Sequence, residues 1–277
     1  MNKRFQIVII IVVVISAALA FHKQTSKEDT MDTITVFAAK SLGSVLEDLI
    51  EEYEQENPDV VIVRNYDSSG TLMTQIKEGA SCDIFFCAAT KQMDELGDMV
   101  IAGTRHDLLN NQVCVVTYQG SKTKVTGLKD MDAASSLAIA DGSVPVGRYT
   151  RQALVNVGIV HDVEDVSKIS TETIAKALGN VEINECSNVG AVKAAVAEGA
   201  NEVGTVYYSD TYGFGDKLRI LEKVPYELTG DVIYPVAQIN NREASEEQVR
   251  KAEKFLDFLT SEHAKTVYEQ YLFDVVA

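Results

Sequence analysis

From Ile34 onward the hydrophobic period of this chain switches repeatedly between the two-residue alternation of a strand and the roughly 3.6-residue spacing of a helix. "ITVFAA" (34–39) is a short β-rich run. After it Leu42, Val45, Leu46, Leu49, Ile50 and Tyr53 recur at i, i+3, i+4, i+7 spacing, a helix that Asn57-Pro58 ends. "VVIVRNY" (60–66) is the next strand, then a polar turn and a helix carrying Leu72 and Ile76 to Gly79. "CDIFFCAA" (82–89) and "TKQMDELGDM" (90–99) repeat the pair as a third strand and third helix. "NQVCVVTYQG" (111–120) begins a second series. It contains "SLAIADG" (136–142), the helix 147–158, the helix 188–200 and the strand "EVGTVYY" (202–208). "VIYPVAQI" (232–239) is a late strand, and 245–273 reads as two closing helices; 159–184 has no clear period. Alternation of this kind predicts α/β architecture, mostly parallel sheets with helices on both faces. The length, 277 residues with 46% apolar content, suits two such lobes with a cleft between them.

The ends and the charge narrow the setting. "MNKRFQIVIIIVVVISAALA" has a positive start, a short apolar run and an Ala-x-Ala site, which describes a secretory signal peptide over 1–20. The run is shorter than the roughly 20 apolar residues of a spanning helix. The segment is cleaved after Ala20 or kept as an N-terminal anchor, and 21–32 reads as a linker. No cysteine lies near the site, so a lipid anchor is not expected. The chain is therefore expected at the periplasmic or extracellular face of the membrane. A formal charge of −16 argues against nucleic acid or an anionic membrane surface as partner. Cys82 and Cys87, five apart on one strand, face opposite sides and cannot bridge each other. Their spacing is not that of a zinc site. With Cys114 and Cys186 they are buried thiols, or one pair forms a disulfide whose partners the spacing does not reveal.

Ligands of open α/β sheets bind at the carboxyl ends of the strands. That rule selects four loops, around Lys40-Ser41, Ser68-Gly70, Val144-Gly147 and Asn188-Val189, each opening a helix. The first amides of a helix lack internal partners and carry partial positive charge, so several converging starts make an anion site. Ser41, Ser68 and Ser69 add hydroxyls, and Tyr207 and Tyr208 stand at the end of a strand beside the fourth loop. Taken singly, each serine is explained as an ordinary cap and each tyrosine as packing. The argument rests on four starts, two from each half of the chain.

"TVFAAKSL", "DSSGTLMTQIKEGASCDIFFCA", "ADGSVPVGRYTRQAL" and "NVGAVKAAVAEGANEVGTVYYSD" together resemble the substrate-binding component of molybdate ABC importers, from about Ile34 to Phe273. The resemblance implies a two-lobed periplasmic-binding-protein fold of type II with two crossover strands as hinge, near 112–116 and 225–235. The lobes would be 33–113 with 230–277, and 114–229. It implies an oxyanion held by Ser41, Ser69, Val146, Val189 and Tyr207, the serines and tyrosine through hydroxyls and the valines through backbone N–H. No cofactor is expected. Molybdenum, or tungsten as tungstate, is bound as the oxyanion through these residues and not as a metal with direct protein ligands. An ABC permease is the implied partner, and the binding protein is expected to be a monomer and no enzyme. The chain departs from the family pattern at Lys40, which puts a positive charge near the cleft, and at Cys87 and Ala89. A bare tetrahedral dianion only accepts hydrogen bonds, so a set of donors suits molybdate. Phosphate keeps a proton and wants an acceptor, which the five residues do not offer. Sulfate is also a bare dianion and is the alternative within the class. A secreted serine hydrolase using Ser41 or Ser69 is a remote alternative, without a G-x-S-x-G elbow or a histidine near the loops. A regulator's effector domain is another, disfavoured by the signal peptide.

Overall fold

The structure, a computed structural model, describes residues 32–276; the expected signal peptide, and the linker short of its last residue, lie outside the described residues. The first half runs β1 (Asp32–Ala39), α1 (Gly43–Glu56), β2 (Val60–Asp67), α2 (Ser69–Lys77), β3 (Ile84–Phe86), α3 (Thr90–Asp94) and β4 (His106–Asn111). The middle runs β5 (Val113–Tyr118), β6 (Ser136–Ala140), α4 (Pro145–Asn156), α5 (Thr171–Ala177), β7 (Glu182–Cys186), α6 (Val189–Ala197), β8 (Val203–Tyr207) and β9 (Leu218–Lys223). The chain closes with α7 (Tyr226–Thr229), β10 (Val232–Gln238), α8 (Glu246–Leu259), α9 (Glu262–Gln270) and β11 (Asp274–Val275).

These strands form two sheets, one of order β11-β4-β10-β3-β1-β2 and one of order β7-β6-β8-β5-β9. The chain changes sheet between β4 and β5 at Gln112, and again between β9 and β10. Each sheet is mixed. β2-β1-β3 and β7-β6-β8 are parallel, as the strand–helix alternation predicts. β10 and β4 in one sheet, and β5 and β9 in the other, are antiparallel. The sheets are less parallel than expected because the strand that follows each crossover, β5 or β10, enters its sheet against the direction of its neighbours.

Alternation along β1 divides its side chains between two cores. Ile34, Val36 and Ala38 join the main cluster with Leu46, Leu49 and Ile50 of α1 and Phe255 of α8, all fully buried. Phe37 turns to the other face, against Leu72 and Ile76 of α2 and Phe85. Helices thus cover both faces, which is why the strand reads as a nearly unbroken apolar run. In the second sheet α6 packs directly on β8: a Cβ at Gly204 would lie 2.7 Å from Val196 Cγ2 and 2.9 Å from the Ala138 carbonyl.

Two local expectations change. The third strand covers only Ile84–Phe86, and the helix expected over 90–99 is α3 followed by a separate 3-10 turn, Gly97–Met99. Because the strand is short, Cys82 precedes it, and both Cys82 and Cys87 pack into the cluster of Phe37 and Phe85 instead of facing opposite ways. All four cysteines are free and buried. Burial pushes the Cys87 and Cys114 thiols up to about 12.

Candidate functional site

Four strand ends of the two sheets feed helix starts, each shaped locally by its sequence. β1 runs into the 3-10 turn Lys40–Leu42, which continues as α1. β2 ends at Asp67, and Ser68 caps α2, its Oγ accepting from the Thr71 N–H at 3.2 Å. After β6, Pro145 opens α4 at a position where its missing N–H costs nothing. A Cβ at Gly147 would lie 2.1 Å from the Asp141 carbonyl and 2.4 Å from that of Ala140, so glycine lets the helix start close against the strand end. After β7, Asn188 caps α6 by accepting from the Ala191 N–H at 3.0 Å.

All five residues singled out from the sequence, Ser41, Ser69, Val146, Val189 and Tyr207, line one narrow cavity between the sheets. Ser41 and Ser69 come from the first sheet's side, and Val146, Val189 and Tyr207 from the second's. A surface groove beside 159–177 shares no residue with it.

The hydrogen bonds around the cavity decide which way its hydroxyls face. Asn111 Nδ2 donates to Tyr234 Oη at 3.2 Å, and Tyr234 Oη lies 2.9 Å from Ser41 Oγ. Asn111 can only donate to Tyr234, so Ser41 Oγ is the acceptor paired with the Tyr234 proton; with that proton placed there, the Ser41 proton is left to donate. Ser69 Oγ accepts from the Ala88 N–H at 2.9 Å, so its proton is also left to donate. Tyr207 Oη is buried without a partner. Burial pushes its phenol well above the ordinary value, so it stays a protonated donor. Its ring is held edge-on against Tyr234, centroids 5.7 Å apart. Val146 and Val189 sit in the first turns of α4 and α6, where backbone amides lack intrahelical acceptors. Three hydroxyls and the amides of these helix starts make a wall of donors without a cation among the five.

The charged groups nearby come from other positions. Lys40 lines the cavity with an exposed side chain, its Nζ 5.9 Å from the Tyr66 ring centroid. Asp67, which the sequence reading passed over, is a carboxylate in the wall. Asp210 lies behind Tyr207, its Oδ2 accepting from the Tyr207 N–H at 3.2 Å; burial raises its pKa to about 6 against the pull of Lys193. Tyr234, which orients Ser41, was also missed: in the sequence it is one residue of a buried strand. The signal available was a hydroxyl in an otherwise apolar run before Pro235. No histidine lines the cavity, and both serine hydroxyls are placed by Tyr234 and the Ala88 amide instead of by a base, so neither has the partner a nucleophile needs.

Two sheets joined by two crossovers, closing on a donor-lined cavity, define a two-lobed solute-binding protein. The sequence profile of the bacterial extracellular solute-binding protein family matches residues 34–274, and the chain belongs to that family. It is 30% identical to the molybdate-binding protein ModA of Escherichia coli over 271 residues, covering 94% of this chain and 95% of that one. Among solved structures it shares its fold with the periplasmic molybdate-binding protein of Azotobacter vinelandii (TM-score 0.71, 18% identity, 88% of this chain and 100% of that one). The sulfate-binding protein SubI of Mycobacterium tuberculosis has the same fold (TM-score 0.68, 14% identity, 88% and 87%). The family is extracellular and binds solutes for transport. Among the described residues no helix is long and apolar enough to cross a membrane.

Proposed function

We propose that this protein captures molybdate, and also tungstate, between its lobes and delivers it to the permease of an ABC importer. The observation that carries this reading is the buried, unpartnered Tyr207 hydroxyl, which shares one cavity with the Ser41 and Ser69 hydroxyls. Buried polar groups in native proteins are paired, and an anion that accepts hydrogen bonds at every oxygen supplies the partner for all three. Val146 and Val189 contribute amides at the helix starts, where partial positive charge favours a dianion. The protein binds and does not catalyse; it acts as an exported monomer. The lobes in this reading are 33–113 with 230–277, and 114–229, hinged at the two changes of sheet.

The identity to ModA supports molybdate over other tetrahedral dianions. The shared fold of a sulfate-binding protein keeps sulfate as the competing ligand, separated from molybdate by size. Phosphate needs an acceptor for its remaining proton. None of the five residues offers one, so weak phosphate binding is expected; tight phosphate binding would assign its proton to Oδ2 of Asp67, the carboxylate in the wall, whose bonds to Ser68 and Asn188 both use Oδ1.

Thermal unfolding with each oxyanion tests the reading. Ligand at roughly 1,000 times its dissociation constant stabilises by about 4 kcal/mol. Molybdate and tungstate are expected to raise the midpoint at low concentrations where sulfate and phosphate do not. An equal response to sulfate transfers the assignment to sulfate, and no response to any oxyanion overturns it.

A further inference from the structure

We propose that Asp67 and Asn188 form a latch across the cleft that holds the closed lobes together and sets how slowly ligand leaves. The proposal rests on the oxyanion-binding reading of the same cavity. Asp67 is the last residue of β2, in the first sheet, and Asn188 precedes α6, which packs on the second. Asp67 Oδ1 accepts from the Ser68 N–H at 2.7 Å, which fixes the carboxylate on its own lobe. The same oxygen accepts from Asn188 Nδ2 at 3.4 Å, from the opposite lobe.

Asn188 is occupied at both ends. Its Oδ1 caps α6 through the Ala191 N–H, so the amide can turn only one edge to the cleft, and that edge is the donor. The cap that shapes the start of α6, where Val189 offers its N–H, is thereby tied to the strand end that leads into Ser69. The other close approaches between the lobes here are packing contacts. A Cβ at Gly190 would lie 3.0 Å from Lys40 Cγ, and one at Gly70 would lie 3.0 Å from the Ser143 carbonyl. Packing sets how near the lobes come, and the Asp67–Asn188 bond adds a polar tie that breaks on opening.

A carboxylate in the wall of a dianion site is otherwise unfavourable, since like charges repel. The latch gives it a role: an ionised acceptor makes a stronger hydrogen bond than a neutral one. Asp67 is not one of the five donors.

Three variants separate the latch from the charge. D67A removes both. N188D keeps the helix cap, since aspartate caps as well as asparagine, but turns an acceptor toward Asp67. D67N keeps an oxygen for both the Ser68 N–H and the Asn188 amide and removes only the charge. The protein has no tryptophan, so tyrosine fluorescence, with Tyr207 in the cavity wall, reports molybdate release in a stopped-flow chase. Release about tenfold faster is expected in D67A and N188D, with D67N, which keeps the acceptor, slower than both. Spin labels at K77C and K168C, one on each lobe, read closure without ligand; the four native cysteines are buried. A longer interlobe distance in D67A is expected. If the wild type binds no oxyanion, the functional reading fails and this distance alone decides the latch. An unchanged distance together with unchanged release in D67A, or a D67N variant that releases ligand as fast as D67A, overturns it.

Discussion

Replacing Tyr207 by phenylalanine is expected to move stability and binding in opposite directions, because the hydroxyl it removes is buried and unpaired in the protein alone. The ring is 1% exposed, packs edge-on against Tyr234 and keeps that contact in the variant. What disappears is one oxygen that burial has stripped of water without giving it a partner. Leaving a buried polar group unsatisfied costs about 1–3 kcal/mol, so its removal is worth a fraction of that after the small void is counted, about 1 kcal/mol. For a protein of this size that raises the unfolding midpoint by about 2–4 °C. With an oxyanion bound the same oxygen donates to a charged acceptor, a bond worth about 1.5–3 kcal/mol. Its loss weakens affinity by about 10- to 150-fold. Differential scanning calorimetry of ligand-free Tyr207→Phe and molybdate titration calorimetry measure the two effects. A variant that is less stable and binds as tightly as wild type refutes the argument, since the hydroxyl would then have a structural partner and no ligand.

Ser69→Asp puts a carboxylate where a hydroxyl proton is offered, and is expected to abolish molybdate binding in equilibrium titration; retained affinity removes Ser69 from the site. Gly147→Ala drives a Cβ into the carbonyls of Ala140 and Asp141, so it is expected to cost several kcal/mol by the scale of severe core clashes and to lower the melting midpoint whether or not ligand is added. Asp210 has a folded pKa raised from 3.8 to about 6 by burial. Its contribution to stability is therefore full below about pH 4 and is lost as pH rises through about 6, a change of order 3 kcal/mol. Asp210→Asn keeps an acceptor for the Tyr207 N–H and never ionises. Its melting midpoint is expected to match wild type at pH 4 and exceed it at pH 8, and an equal difference at both values rules out the ionisation of Asp210 as the cause.

What could be read from the sequence is what contiguous residues control. The period of "ITVFAA" and of Leu42 to Tyr53 follows from which faces are buried; Ser68 and Asn188 mark helix starts through bonds to residues three positions on, and Pro145 marks one by its fixed φ and missing N–H. Ser41, Ser69, Val146, Val189 and Tyr207 were nameable because each stands at such a start or at a strand end, and the family resemblance chose among them. The strands that escaped notice lack a local signal. β7, "EINEC", is a polar edge with four of five residues partly or fully exposed, and its one strand partner is β6. β4, "HDLLNN", is half exposed in the same way. Tertiary structure alone decided which helix starts meet, because that depends on residues far apart in the chain. The proton of Ser41 is directed by Tyr234, 193 positions away, which is itself held by Asn111 at the change of sheet. Asp67 enters the cavity wall, and faces Asn188, only once the two lobes close on each other. A hydrogen bond across such a separation has no periodicity or cap to announce it, since it exists only after both sheets have formed and packed.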